Sequence, residues 1–161
     1  ESSDMPALRF IAAILICLVA VPAFAQDTPA DNMDIVRDAI KAQKKLLIAE
    51  NMPLTEAEAT AFWPIYEEYQ AALKAIVDSD IKVIEEYATN YNTDGMTDEI
   101  ADKLIKQSMA NESSRLKLQE KYFPKFSKVI TAKKAARYYQ LENKIRAVIN
   151  YDLASQIPLV D

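Results

Sequence analysis

Apolar residues recur at spacings of three and four along most of this chain, which is the period of α-helices with one buried face. The pattern is broken at three places, by Asn51-Met52-Pro53, by the turn-forming stretch 90–95, and by Ile130-Thr131. These breaks predict four helices, at about 34–50, 56–89, 98–130 and 132–153. We therefore predict an all-α fold in which the long second and third helices form a helical hairpin.

Each of the two long helices is predicted to bury a single apolar stripe. Pro64 lies near the start of the second helix, where proline is tolerated, whereas Pro124 lies deep in the third and is expected to bend it. The stripe of the third helix is made of these residues: Ile100, Leu104, Ile105, Met109, Leu116, Tyr122, Phe123, Phe126, Val129 and Ile130. Long, bent helices of this kind predict an elongated or curved shape.

Threonine marks the predicted helix starts. Leu54-Thr55-Glu56-Ala57-Glu58 is a capping box, in which Thr55 and Glu58 each satisfy a backbone N–H of the first turn. Ile130-Thr131-Ala132-Lys133-Lys134 repeats the apolar-threonine start, but Lys134 has no acceptor with which to complete a box.

The N-terminal region has the three parts of an export signal. Met5 and Arg9 precede an apolar run over 10–21, and Ala23-Phe24-Ala25 predicts cleavage before Gln26. The run is shorter than the roughly 20 residues that span a bilayer, so we expect no stable membrane anchor after cleavage. The predicted location is the periplasm, with release outside the cell as the alternative. The predicted segments are a signal peptide at 5–25, a flexible leader at 26–33, one helical domain at 34–153, and a tail at 154–161 that docks onto a helix.

The composition excludes most catalytic designs. The chain has no histidine, one glycine (Gly95) and one cysteine (Cys17), and that cysteine lies within the predicted signal. A nucleophile–His–acid triad and a Glu-x-x-His di-iron site both need histidine, and zinc sites rely on His or Cys. Adjacent carboxylates such as Glu67-Glu68 are typical of a solvated helix face. We expect neither an enzyme nor a cofactor.

The glycine turn is the best candidate for a metal site. Asn90, Asn92, Asp94, Gly95 and Asp98 match positions 1, 3, 5, 6 and 9 of a calcium loop, but position 12 is Ala101 in place of glutamate. A plain turn rich in Asn, Asp and Gly explains the same residues.

Charge divides the predicted mature chain. Residues 26–101 hold 16 acidic and six basic residues, whereas 102–146 hold four acidic and 12 basic ones. Either an acidic helix lies antiparallel to a basic one, or the basic residues form a surface for an acidic partner. That surface would consist of Lys103, Lys106, Arg115, Lys117, Lys121, Lys125 and Lys128. Nucleic acid is not expected for an exported acidic protein.

Aromatic residues cluster around Phe62-Trp63-Pro64-Ile65-Tyr66 and Tyr69. Helical aromatic stripes are usually core, but Trp63 lies about 100° around the helix from Phe62. Some of these side chains could therefore line an exposed groove or a dimer contact. We take Trp63, Tyr66 and Tyr69, together with Lys103, Lys106 and Arg115, as the candidate partner-binding residues.

The two threonine motifs resemble those of the LTxxQ (Spy/CpxP-like) family of exported bacterial helical proteins. Leu54, Thr55 and Glu58 match the first motif, and Ile130, Thr131 and Lys134 match the second, with Glu58 and Lys134 in the places of glutamine. The Phe62–Tyr66 segment and the ending 153–160 resemble an uncharacterised subgroup of such proteins.

The resemblance implies a cradle-like homodimer of long bent helices. It implies an ATP-independent periplasmic chaperone that holds unfolded clients, or an adaptor that binds an envelope sensor protein in stress signalling. The alternative is a structural or interaction protein that assembles with a dedicated envelope partner and has no chaperone activity.

Overall fold

The computed structural model describes residues 29–160, and their side chains from residue 40 onward. The predicted signal peptide lies outside the described residues. The described residues divide into two compact units, one of 29–53 with 136–156 and the other of 54–135 with 157–160.

The described chain is all-helical, as predicted. Its helices are α1 (Pro29–Asn51), α2 (Glu56–Asn92), α3 (Asp98–Val129) and α4 (Ala132–Gln156), and no strand occurs between residues 29 and 160. The leader prediction needs a correction, because α1 begins at Pro29 and not near residue 34. Proline suits the first position of a helix, since the N–H that it lacks has no partner there in any case.

Both long helices begin at a threonine cap. The backbone N–H of Glu58 donates to the Thr55 hydroxyl (3.3 Å), and the N–H of Thr55 donates to the Glu58 carboxylate (2.8 Å), which confirms the capping box. At the start of α3 the N–H of Ile100 donates to the Thr97 hydroxyl (3.3 Å). Hydrogen bonds from the Glu99 backbone and from Thr97 hold the pKa of Glu99 below its usual 4.5.

α2 and α3 pack side by side in antiparallel directions within their unit. An aromatic core joins the start of α2 to the end of α3, with ring centroids 5.1 Å apart for Phe62 and Phe126 and 5.6 Å for Tyr69 and Tyr122. Phe62 and Phe126 are fully buried. This end of the helix pair is therefore held mainly by apolar burial and ring contacts.

Further along the pair, the contact between α2 and α3 becomes polar. Asn111 donates to one carboxylate oxygen of Asp80 (2.7 Å), and the Arg115 guanidinium donates to the other (2.5 Å). The amide oxygen of Asn111 accepts from Ser79 and from Gln107, each at 2.9 Å. We call Ser79, Asp80, Gln107, Asn111 and Arg115 the polar seam. Because these groups bond to one another, Asn111 and Arg115 can be buried on α3.

The turn between α2 and α3 is tight. Both Thr93 and Gly95 donate their backbone N–H to the carbonyl of Asn90, at 3.4 and 2.8 Å. Asp94 takes the left-handed conformation (φ 50°), while Gly95 does not have a positive φ. Space at 95 is tight, since a Cβ there would lie 3.2 Å from side-chain oxygens of both Asn90 and Thr93, which would have to shift slightly.

The other unit joins the C-terminal half of α1 to α4. Glu142 is buried and accepts from Lys44 (2.8 Å) and from the Tyr138 hydroxyl (3.0 Å). Arg137 donates to the backbone carbonyl of Asn51 at 2.6 Å, which satisfies an orphan carbonyl at the end of α1. Among residues 29–160, no helix combines the length and the apolar character that crossing a bilayer requires.

Candidate interaction surface

One face of α3 carries three exposed apolar side chains, with the exposed Glu112 between two of them. Ile105, Met109 and Leu116 leave 61%, 68% and 56% of their surface accessible. At 100° per residue, these positions fall within about 40° of one another on the helix. We call these three residues the α3 stripe. Isolated exposed apolar residues are common on protein surfaces, but an aligned set on one helix face is typical of a binding surface.

The α3 stripe corrects the prediction of a single buried stripe on this helix. Leu104, Tyr122 and Phe126 are buried with α2, whereas the α3 stripe lies roughly 100° or more around the helix from Leu104. A helical projection separates the two sets, so the sequence contained the signal. Spacing alone did not separate them, because both sets follow intervals of three and four.

Two of the predicted lysines of α3 are exposed and form ion pairs. Lys106 pairs with Asp102 along the helix (2.6 Å), and Lys103 pairs with Glu86 of α2 (2.6 Å). Both lysines are exposed, with more than 60% of each side chain accessible. The predicted candidates Lys103 and Lys106 are therefore at the surface, and their ion pairs are of the exposed, weak kind. On the helix, Lys106 projects within about 100° of the α3 stripe, whereas Lys103 projects about 120° or more from it.

Three of the other candidate partner-binding residues belong to the interior. Tyr66 and Tyr69 are 0% and 1% exposed, and Arg115 is 8% exposed within the polar seam. The prediction that they contact a partner is wrong for the described structure, because the packing of α2 on α3 covers them. Trp63 is half-buried and packs edge-on against the rings of Phe62 (5.1 Å) and Tyr66 (5.2 Å).

The division of charge along the chain is explained by pairing between α2 and α3. Glu86 pairs with Lys103, Asp80 with Arg115, and Glu68 with Lys125 at 3.5 Å. The acidic helix therefore lies antiparallel to the basic one, as the first interpretation predicted. Lys125 also lies 4.5 Å from the centre of the Tyr122 ring, within the range of a cation–π contact.

The two threonine motifs meet within one unit. The Glu58 carboxylate, which closes the first capping box, also accepts from the Lys134 ammonium of the second motif at 2.5 Å. The N–H of Lys134 in turn donates to the Thr131 hydroxyl (3.3 Å). Both side chains are mostly buried, at 18% and 23% exposure. The hydrogen bond from Lys134, and after it the one from the Thr55 backbone N–H, hold the pKa of Glu58 below its usual 4.5.

Each motif also has an apolar first residue. Leu54 is half-buried and Ile130 is buried at 5% exposure. We call the contact between Glu58 and Lys134 the motif junction; it joins the starts of α2 and α4. The sequence predicted that each residue belongs to a motif, but not that the two side chains meet.

The residues of the candidate calcium loop belong to the end of α2, the following turn and the start of α3. Asn90 and Asn92 lie in the last turn of α2, and the Asn90 amide donates to the Glu86 carbonyl (2.7 Å). Asp94 sits in the turn, and Asp98 is the first residue of α3. The plain-turn interpretation accounts for these contacts. Over the described residues, no three His, Cys, Asp or Glu side chains are grouped as metal ligands.

The C-terminal tail contacts α2, as predicted. The Tyr87 hydroxyl donates to the backbone carbonyl of Pro158 at 2.7 Å. The rings of Tyr87 and Tyr91 are stacked, with centroids 5.9 Å apart.

The chain matches no protein-family model, and comparisons with characterised proteins and with solved structures find nothing significantly similar to it.

Proposed function

We propose that this protein is a periplasmic, ATP-independent chaperone or envelope-stress adaptor that acts by binding other proteins through the α3 stripe. The observation that carries the proposal is the exposure of Ile105, Met109 and Leu116 on one face of a helix. The motif junction supports it, because Glu58 and Lys134 hold together the two segments that resemble the LTxxQ motifs.

The size of the α3 stripe suits reversible binding. Full burial of three such side chains would contribute about 5 to 9 kcal/mol. The loss of translational and side-chain freedom on association subtracts several kcal/mol from that gain. The expected affinity is therefore micromolar or weaker. A client held this weakly can leave without any input from nucleotide hydrolysis.

A charge near the stripe would assist capture. Lys106 is exposed on the flank of the stripe and pairs with Asp102 at the surface. Surface ion pairs exchange readily with other partners, so an acidic client segment can compete for this lysine. Weak electrostatic attraction would raise the rate of encounter, and apolar contact would hold the client.

The cradle-like homodimer belongs to the same proposal. The resemblance implies two copies of long bent helices, and α2 and α3 provide helices of 37 and 32 residues that continue through Pro64 and Pro124. Light scattering over a concentration series measures the particle mass directly. If Ser substitution of the α3 stripe turned a dimer into a monomer, the stripe would be the subunit contact and not the client surface.

A dedicated partner is the second candidate, and the spacing of the stripe favours it. Positions 105, 109 and 116 correspond to core positions of a heptad repeat, in which Glu112 takes the core position between 109 and 116. That spacing packs against one partner helix. A single tight partner recovered from envelope extract, together with no effect on client aggregation, would favour this function.

The test of the proposal is aggregation of an unfolded client, followed by light scattering without nucleotide. The unchanged protein should suppress aggregation near stoichiometric ratios, and the triple variant I105S/M109S/L116S should lose that effect. A matched control is L46S/Y139S/Y151S, which removes three exposed apolar side chains elsewhere and should retain suppression. Equal suppression by both variants would overturn the assignment of the stripe.

A further inference from the structure

Tyr87 and Tyr91 form a small aromatic platform on α2. They are four positions apart, so they lie one turn apart on the same side of the helix. Their rings are 5.9 Å apart and inclined by only 18°. Both side chains are half-buried, so the platform combines accessible ring surface with the Tyr87 hydroxyl.

The chain's own C-terminal tail contacts this platform at the Tyr87 hydroxyl. α4 ends at Gln156, and Pro158 prevents the helix from continuing, so the backbone runs on in an irregular, non-helical form. The Tyr87 hydroxyl donates to the carbonyl of Pro158 (2.7 Å), and Ile157 is half-buried. A tyrosine hydroxyl thus recognises the backbone of a non-helical, apolar segment.

The tail covers little apolar surface when it docks. Leu159 and Val160, the last two apolar residues of the segment, are 87% and 53% exposed. The hydrogen bond to the Pro158 carbonyl is therefore the contact that holds the tail on α2, and Ile157 is the apolar tail residue that is most covered. A segment held in this way can be displaced by another of the same kind.

We propose that the platform of Tyr87 and Tyr91 is a second binding site for extended apolar peptide segments, and that the tail is its resident competitor. Recognition through a backbone carbonyl is available to any sequence, and unfolded proteins present extended apolar segments. The inference rests on the proposed function in taking unfolded chains as the ligand. It adds a site separate from the α3 stripe and a means of regulating it.

The test measures binding of a labelled synthetic peptide with the sequence of residues 154–161, by fluorescence anisotropy. The proteins compared are the unchanged chain, I157D, and I157D combined with Y87F. The attached tail acts at a high effective concentration, so releasing it with I157D should tighten peptide binding at least about fivefold. Removing the Tyr87 hydroxyl should cancel most of that gain.

A second measurement covers the case in which I157D perturbs folding. With a fluorophore attached at Val160 of the otherwise unchanged chain, excess unlabelled peptide should lower the anisotropy as the tail is displaced. Equal peptide binding by the unchanged chain and I157D, or a gain that survives Y87F, would overturn the inference. So would a tail anisotropy that peptide leaves unaltered.

The two proposals fail in different ways. Peptide binding at the platform without any suppression of client aggregation would keep this site and overturn the proposed function. If suppression of client aggregation required the α3 stripe but no peptide bound at Tyr87, the proposed function would stand and the platform site would be overturned.

Discussion

The Glu58 carboxylate lies 2.5 Å from the Lys134 ammonium, although 76 positions separate them in the chain. Each residue stands where the resembling motif has glutamine, and the two replacements are complementary in charge. Because both side chains are mostly buried, the pair is better shielded than the surface pairs of Lys103 and Lys106. The motif junction is therefore a specific contact and not two independent helix caps.

Removing both members of this pair should cost less than the sum of the two single removals. Glu58→Gln leaves the Lys134 charge mostly buried without its partner, and Lys134→Gln leaves the Glu58 charge in the same position. The double variant has two neutral amides that can bond to each other. Thermal melts of all four proteins give the coupling, and the double variant should lose less than the sum of the single losses. Strict additivity would mean that the two residues do not stabilise each other.

The Glu58 contact should also depend on pH in a defined direction. The pKa of Glu58 is lowered in the folded state, chiefly by the hydrogen bond from Lys134. Its contribution to stability is therefore fully present above the unfolded value near 4.5, and is lost as the pH falls through the lower folded value. The melting temperature of the unchanged protein should fall towards that of Glu58→Gln below pH 4.5. If the difference in melting temperature between the unchanged protein and Glu58→Gln stayed constant across this pH range, the Lys134 contact would not be the source of the Glu58 contribution.

Arg115 should stabilise the polar seam. Its guanidinium donates to Asp80 and is only 8% exposed, so Arg115→Met removes a charged hydrogen bond and keeps most of the apolar stem. The free energy of unfolding should fall by about 1.5 to 3 kcal/mol. Urea denaturation measures this free energy. The control is Lys117→Met, at an exposed position two residues further on, which should change the free energy of unfolding by less than about 0.5 kcal/mol. Equal effects of the two substitutions would show that the seam contributes no net stability.

The turn makes a separate prediction at Asp94, which has a φ of 50°. A β-branched residue tolerates this conformation poorly, so Asp94→Val should lower the free energy of unfolding by about 1 to 2 kcal/mol. Asp94→Gly should be neutral or should raise it slightly. The exposed helical position Asn92 provides the control, since Asn92→Val keeps a right-handed backbone and should cost less than about 0.5 kcal/mol. Equal losses for Asp94→Val and Asp94→Gly would rule out backbone strain as the cause.

The helices and their limits could be predicted from local chemistry. The hydroxyl groups of Thr55 and Thr97 cap helix starts, and Pro53 disfavours helix at the residue before it. Each of these effects reaches only a few residues along the chain. Such signals are contained in one stretch of sequence. The start of α1 was missed because Pro29 is equally compatible with a flexible leader and with the first turn of a helix.

Contacts that depend on how helices face each other could not be predicted in the same way. Whether Tyr69 or Leu116 is buried depends on which side of its helix meets the neighbouring one. Glu58 and Lys134 are distant in sequence, and nothing local indicates that their side chains meet. One of the two interpretations of the charge division did predict the pairing of α2 with α3, because opposite signs on two helices favour their packing together.

The most direct test of the account is site-specific photo-crosslinking to an unfolded client. A photoreactive residue at position 116, in the α3 stripe, should crosslink efficiently to client without nucleotide. The same residue at Tyr151, which is 75% exposed and outside the stripe, should crosslink several-fold less. Client contact at 116 and little at 151 is the result that the account predicts. Equal crosslinking from the two positions, or none from 116, would contradict it.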